Sequence, residues 1–592
     1  MSVMYALFRE SPAGQLLRLI TRNKILQYPE EKPGYKVPQE WLDVLNSRKP
    51  ASPPPAPGSS ASSVRPLANS DAEDKETDKI HPSLPDDTDT AVGSDVEKAA
   101  APGPDLDLAR TRSQPIIPQR TKDGLVLVDF YTTDDPENPY NWPSSQKLTS
   151  TFILCFYTFV VYASSSIYLP SLPGIIAEYQ VGQVEASLGL ALYVLGYGIG
   201  PLIFSPLSEI PVIGRNPVYI ITMAIYVIIS LPAPLIDNFA GLMVLRFLQG
   251  FFGSPCLASG GASLGDMFSL MNLPYALVAW VSAAYCGPAL GPMLAGFSVP
   301  AMSWRWSLWE IFWASIPAFL LMFLLLPETS TPTILLRRAR RIRKLTGNPR
   351  FMSQSELDQR AMKTSEVLVD ALIKPIEITI KDPAILFVQV YTGILYGIYY
   401  SFFESFPLVY VGIYGMSLSH TTLVFLCVLI ACGLGVAIYV GYIYFYMNPL
   451  IVKHGFPVQE RRLVPALYAS VGPVIGLFLY AWTARESIHW TVPTIGIIIY
   501  GGSAFVLMQC IFVYVPISYP KYAASLFAGN DFFRSSLAFA AVLFATPLYH
   551  NMGISRGTSL LGGLSFIGIV GIFALYHYGA RLRAMSKFAI SE

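Results

Sequence analysis

Hydrophobic positions in this 592-residue chain neither alternate nor recur on one helical face; they run in blocks of about twenty, separated by short polar breaks. A hydrocarbon core about 30 Å thick needs about 20 apolar residues per helix. Blocks of that length lie near 148–170, 187–208, 217–236, 239–262, 274–298, 306–326, 384–412, 420–446, 463–483, 491–515, 523–548 and 558–579, which predicts twelve membrane-spanning helices. A polar stretch, 327–383, divides them six and six. The expected fold is therefore an all-α membrane protein of two six-helix halves, 148–326 and 384–579, joined by a central loop.

Ahead of the first block the pattern changes three times. Residues 1–48 mix apolar and basic side chains and suit an amphipathic cytosolic segment, lying on a membrane or docking on the body. Residues 49–119 are rich in Pro, Ser, Ala and Asp; they hold too little apolar surface to offset the entropy of ordering and are expected to be disordered. Residues 120–147 join a short strand-like run to Asx and Pro turn chemistry. A tail, 580–592, follows the last block. No removable secretory signal is expected, so the first block serves as the targeting segment.

Orientation follows from lysine and arginine in the loops. The loop after block six holds eleven, the loop after block eight three and the C-terminal tail three, whereas the opposite face holds only Arg305, Arg485 and Arg556. Both termini are thus expected in the cytosol. Within the central loop, ILLRRARRIRKL (334–345) reads either as an interfacial basic helix against anionic lipid or as a solvated charge run that fixes orientation.

Composition narrows the chemistry. Hydrophobic residues make up 52 % and charged residues 14 %, against about 25 % charged in ordinary soluble domains. A formal net charge of +1 gives no reason to expect a nucleic-acid partner. All six cysteines sit inside apolar blocks, as packing residues do, and the histidines are scattered. The sequence contains no Gly-Lys dipeptide, and therefore no P-loop for nucleotide phosphates, and no HExxH, paired CxxC or GxSxG. An enzyme is not indicated, and neither a cofactor nor a metal is called for.

Charges inside the blocks carry the sharper signal. An ionisable side chain at mid-membrane costs about 2.5–3.5 kcal/mol on insertion scales and tends to mark a pathway. Arg246 falls in block four, Glu404 in block seven, and Asp531 with Arg534 in block eleven. Asp531 and Arg534 stand at i and i+3 on one helical face, either as a pair that only fixes packing or as a neutralised charge site on a pathway. Arg246 and Glu404 need partners from other helices, a cavity or, for Glu404, a proton. Block five holds two Gly-Pro pairs four apart, Gly287-Pro288 and Gly291-Pro292, which predicts a bent helix tightly apposed to a neighbour. The aromatic run YGIYYSFFESF in block seven could line a cavity for flat apolar ligands.

Over roughly residues 123–587 the sequence resembles the major facilitator superfamily, and within it the fungal twelve-span drug:proton antiporters that confer fluconazole, benomyl and cycloheximide resistance. LMVLRFLQGFFGS (242–254) resembles the superfamily's span-four motif, with Arg246, Gln249 and Gly250 in place; the family links this arginine to proton transfer. CGPALGP (286–292) resembles the antiporter motif taken to mark exporters. YLPSLP, DDPENPYNWP, SWRW and FAGNDFFRS are similar to the fungal group. SPLSEIPVIGRN departs from the usual loop between spans two and three: Ser205 replaces a glycine, Glu209 an aspartate, and two extra residues precede Gly214 and Arg215. The resemblance implies that Glu209, Gly214 and Arg215 serve as a conformational latch and that Arg246 serves proton coupling; the charges within the blocks add Glu404 and Asp531 as candidate proton- or cation-binding carboxylates, with Arg534 restraining Asp531. It implies a monomeric multi-pass plasma-membrane exporter of amphipathic xenobiotics, azoles included, with protons and small hydrophobic molecules as its partners in the bilayer. The alternative is export of an endogenous secondary metabolite or toxin by the same engine.

Overall fold

Helix-forming apolar blocks become helices here, and the exceptions have local causes. The structure, a computed structural model, describes residues 3–46, 113–121, 123–361, 373, 375–519 and 522–588. Most of the stretch expected to be disordered, 49–112, lies outside the described residues, as does the end of the tail from 589.

Ten helices among the described residues are long and apolar enough to cross a membrane. They are span one (Ser144–Tyr179), two (Gln183–Glu209), four (Phe239–Met267), five (Leu273–Ala301), six (Trp306–Leu325), seven (Pro383–Ile413), eight (Leu418–His454), nine (Gln459–Thr483), ten (Thr491–Ser518) and a last long helix. That last helix, Ala523–Met585, is two helices merged across Gly553, whose φ of 76° and ψ of 161° are non-helical; it provides spans eleven and twelve. Span three, Arg215–Ser230, is shorter, at 16 residues. The sequence predicted 217–236 for it, but Pro232 and Pro234 cannot continue a helix. The chain is thus an all-α membrane protein of twelve spans in two six-helix halves.

An even number of spans returns both ends of the chain to one face, called here the terminal end; the opposite face is the far end. Capping fixes several starts. Asp382 accepts from the backbone N–H groups of Ala384 and Ile385, with Pro383 in the first turn of span seven, and Asn238 caps span four through Ala240 N–H. Within each half span one packs on five, and seven on eleven; between the halves, spans two and eleven meet along one edge, and five and eight along the other. Gly198 makes the first contact possible: a Cβ there would lie 2.4 Å from Ser535 Cβ.

At the terminal end, residues 3–46, 113–121, 123–143 and 331–361 fold together into a cap. The basic run forms the helix Thr331–Thr346; Arg340 and Lys344 stand exposed, while Arg338 and Arg341 turn into the cap. Arg338 is 1 % exposed and reaches Asp135 at 2.6 Å and Glu137 at 3.2 Å. Arg341 pairs with Glu30 at 3.1 Å and Glu137 at 2.7 Å. Those carboxylates lie 201 to 311 positions away in sequence, so no local pattern announces them. Val126–Leu127 pairs in parallel with Phe351–Met352, and the buried Trp41 donates its indole N–H to Ile116 O at 3.0 Å. Residues 113–119, assigned to the disordered stretch by composition, are held here, with Ile116 N–H donating to Tyr131 O. The helix Pro12–Ile20 docks on the body against spans three and six, leaving Leu19 and Ile20 exposed.

Candidate functional site

Spans one, four, five, seven, ten and eleven surround a cavity between the two halves. Its volume is about 40 Å³, so it is narrow in this conformation. Tyr162, Trp280, Tyr285, Tyr396, Tyr399, Phe512 and Phe527 give it flat walls, and Asn530, Asp531 and Arg534 give it a polar edge. Asp531 and Arg534 are 3 % and 7 % exposed. Arg534 Nη2 donates to Asp531 Oδ1 and to Tyr162 Oη at 3.1 Å, and its guanidinium carbon lies 4.5 Å from the centre of the Tyr396 ring. The i, i+3 pair read from the sequence therefore forms and lines the cavity.

Arg246 lies elsewhere, sealed inside the N-terminal half at 0 % exposure. Its Nε donates to Gly189 O at 3.1 Å, Nη1 to Gln249 Oε1 at 3.2 Å, and Nη2 to Ser164 O and Ser165 O at 3.0 Å each. Tyr168 and Tyr193 flank it, with ring centres 5.0 and 4.5 Å from its guanidinium carbon. Among the described residues its acceptors are thus an amide and carbonyls, not a carboxylate. Gln249 passes the bonding on to Ser230 Oγ at 3.1 Å. Gly250 lets span two approach: a Cβ there would lie 2.0 Å from Tyr193 O.

A chain of hydroxyls crosses the seam between these two charged sites, from Tyr396, whose ring lies under Arg534, to Ser165. Tyr396 Oη lies 2.6 Å from Tyr197 Oη, which donates to Tyr400 Oη at 2.9 Å. Tyr400 Oη is 3.2 Å from Ser165 Oγ, and the carbonyl of Ser165 accepts from Arg246. Sequence reading missed this chain, because Tyr197 and Tyr396 are 199 positions apart. Asn530 was also missed, although a polar residue next to Asp531 in an apolar block was a usable signal.

Glu404 is placed away from the cavity, toward the far end, where it joins three helices: Ser187 Oγ of span two donates to Oε1 at 3.0 Å, and Thr546 Oγ1 of span eleven to Oε2 at 2.8 Å. On the other edge of the seam, Ser419 Oγ of span eight donates to Gly296 O of span five at 2.8 Å. Toward the terminal end the halves are linked by Asn448 Nδ2 donating to Tyr275 Oη at 2.8 Å.

The Gly-Pro repeat brings span five onto span one. A Cβ on Gly287 would lie 2.8 Å from Tyr162 Cβ, and one on Gly291 2.5 Å from Ala163 O. Pro292 has no N–H for the carbonyl of Pro288, and Ser166 Oγ takes that role by donating to Pro288 O at 2.7 Å. Gly291→Ala is therefore expected to lower the thermal unfolding midpoint of the purified protein, by about 1–3 kcal/mol of overpacking. Gly265→Ala, where a Cβ would meet nothing within 4 Å, should leave the midpoint unchanged or raise it.

In the loop after span two, Arg215 is brought to Asp266 of span four at 2.7 Å, and its N–H donates to Glu328 Oε1 at 3.1 Å. Gly214, at φ 82°, starts span three where a Cβ would strike Glu328. Glu209 is exposed at the end of span two. The contacts tying this loop down are therefore to Asp266 and Glu328, neither of them singled out in the sequence.

Twelve helices in two halves, a cavity between them and a buried charged pair on its wall define a membrane transporter rather than an enzyme. The chain belongs to the Major Facilitator Superfamily, whose sequence profile matches residues 154–541. It is 45 % identical to the MFS-type transporter pyvG of Aspergillus violaceofuscus over 80 % of this chain and 87 % of that one. It is 34 % identical to the cycloheximide resistance protein of Candida maltosa over 99 % of this chain and 100 % of that one, the cap included. Among solved structures, the human organic anion transporter MFSD10 shares the fold, with a TM-score of 0.51 at 15 % identity over 73 % of this chain and all of that one.

Proposed function

We propose that the chain is a proton-coupled exporter of amphipathic small molecules, working by alternating access as a monomer in the plasma membrane with both termini in the cytosol. The observation that carries this reading is the Asp531–Arg534 pair lining the cavity between the halves. A lone carboxylate there would be costly, whereas a paired one can exchange its arginine for another cation or its charge for a proton. With the termini cytosolic, the cavity residues Trp280, Phe512 and Phe527 lie in the cytosolic stretches of their spans, and the seam around Glu404 and Gly296 faces the exterior. An exporter loads its cargo from the cytosolic side. Arg246, Glu404, Asp531 and Arg534 serve the coupling, and Arg215 with Gly214 steadies the loop after span two, with Glu209 beside it.

One proton moving inward down about 100 mV and one pH unit releases ~3.7 kcal/mol, enough to hold a concentration ratio of about 500 at one proton per molecule. The similarity to a protein named for cycloheximide resistance favours xenobiotic cargo, with azoles and benzimidazoles as further candidates. In liposomes carrying the purified protein, an imposed pH gradient should drive accumulation of cycloheximide or fluconazole, and dissipating the gradient should abolish it. Movement that ignores the gradient rejects the coupling; no movement of any compound in a broad xenobiotic panel, with transport of a native secondary metabolite instead, replaces the cargo.

A further inference from the structure

The polar edge of the cavity holds more than its ion pair. Asn530, 5 % exposed, sits one residue before Asp531 and lines the same cavity. Its amide has a fixed orientation. Thr392 Oγ1 donates its proton to Val388 O at 2.7 Å, so toward Asn530 that hydroxyl can only accept. Asn530 Nδ2 supplies the donor, to Thr392 Oγ1 and to Gln389 Oε1, each at 2.7 Å. Both amide protons are thereby used on span seven, and among the described residues Oδ1 is left with no donor. Asp531 is in a similar position: Arg534 takes Oδ1, and Oδ2 has no donor among the described residues. Arg534 Nε, its guanidinium over the Tyr396 ring, has no acceptor among them either.

Two buried acceptors on successive residues that both line an aromatic-walled cavity constitute a recognition element, because an unpaired buried acceptor costs about as much as a good hydrogen bond returns. We infer that this edge selects flat, apolar molecules that carry an N–H donor, with Asn530 Oδ1 and Asp531 Oδ2 as the receiving atoms, and that Asn530 is a specificity-determining residue. The inference rests on the export reading for its biological meaning. Discrimination comes from the asymmetry known for polar pockets: a site built to accept a proton rejects the analogue that lacks one, while it barely notices an added methyl elsewhere.

The test is equilibrium binding to the full chain in nanodiscs, without any gradient, using three probes: 2-phenylindole, its N-methyl derivative and its 5-methyl derivative. The N-methyl compound is expected to bind at least about tenfold more weakly than the parent, and the 5-methyl compound, of equal size with its N–H kept, within about twofold of it. In Asn530→Leu the parent should fall to within about threefold of the N-methyl compound, whose own affinity is unchanged. Equal binding of all three to the native protein overturns the inference, as do equal losses for both methylated probes or failure of all three to bind. These outcomes need no variant, so an Asn530→Leu protein that does not fold leaves the decision intact. Because no gradient is applied, the ranking of the probes stands or falls apart from transport in liposomes.

Discussion

Arg534→Leu is expected to destabilise the protein more than the double variant Arg534→Leu/Asp531→Asn. The single substitution leaves the Asp531 carboxylate 3 % exposed with its one charge-assisted donor removed. Removing one partner from a buried pair costs about 3–5 kcal/mol, while replacing both by neutral groups of similar shape is often near neutral. The double variant should therefore recover half or more of the loss in thermal midpoint. Both variants should lose gradient-driven transport, since neither keeps a carboxylate balanced by arginine at the cavity wall. Equal midpoints for single and double variants would mean that Asp531 finds another cation or is already neutral in the native protein, and the pair would then no longer be the element that holds a charge at that wall.

What the sequence disclosed here follows the range over which a physical rule acts. Membrane spans depend on about twenty contiguous residues, so the blocks and their division into two halves could be read directly, whereas helix ends could not: span three stops at Ser230, before Pro232 and Pro234, and spans one and eight run on to Tyr179 and His454. Asp531 and Arg534 were legible as a pair because helical geometry places i and i+3 together, and Arg246 was legible as buried because lipid forbids it elsewhere. Partners supplied by distant segments were not. Tyr400 meets Ser165, and Glu404 meets Ser187, only once the halves have come together. Arg246 was expected to need a partner from outside its helix; it found carbonyls at Ser164, Ser165 and Gly189, and backbone acceptors leave no trace in a sequence. The basic run is the sharpest case, since its charge count read correctly as a loop near one face but concealed that Arg338 is consumed by carboxylates from two other segments.

That hub yields the other large effect. Arg338→Met is expected to release the cap, because among the described residues Asp135 then keeps only backbone N–H donors, from Tyr131 and Glu137, at a cost of about 3–5 kcal/mol. Hydrogen exchange over residues 3–46 and 331–346 should rise sharply, while the membrane spans keep their protection. The pH dependence gives an independent check. Burial alone would push the Asp135 carboxyl upward, but Arg338, by hydrogen bond and by charge, together with the N–H groups of Glu137 and Tyr131, holds it below the ordinary carboxylate range. A depressed carboxyl contributes its stability above the unfolded value of about 3.9 and loses it as pH falls through the lower folded value. The native cap should therefore keep constant protection from pH 7 to about pH 5, once intrinsic exchange is corrected, and lose it only below about pH 4. In Arg338→Met the depressing cation is gone and burial dominates, so the sign reverses: the folded cap now prefers the protonated acid, and acidification from pH 7 to about pH 5 should restore protection. A variant cap that loosens further on acidification would place the controlling charge on a group other than Asp135.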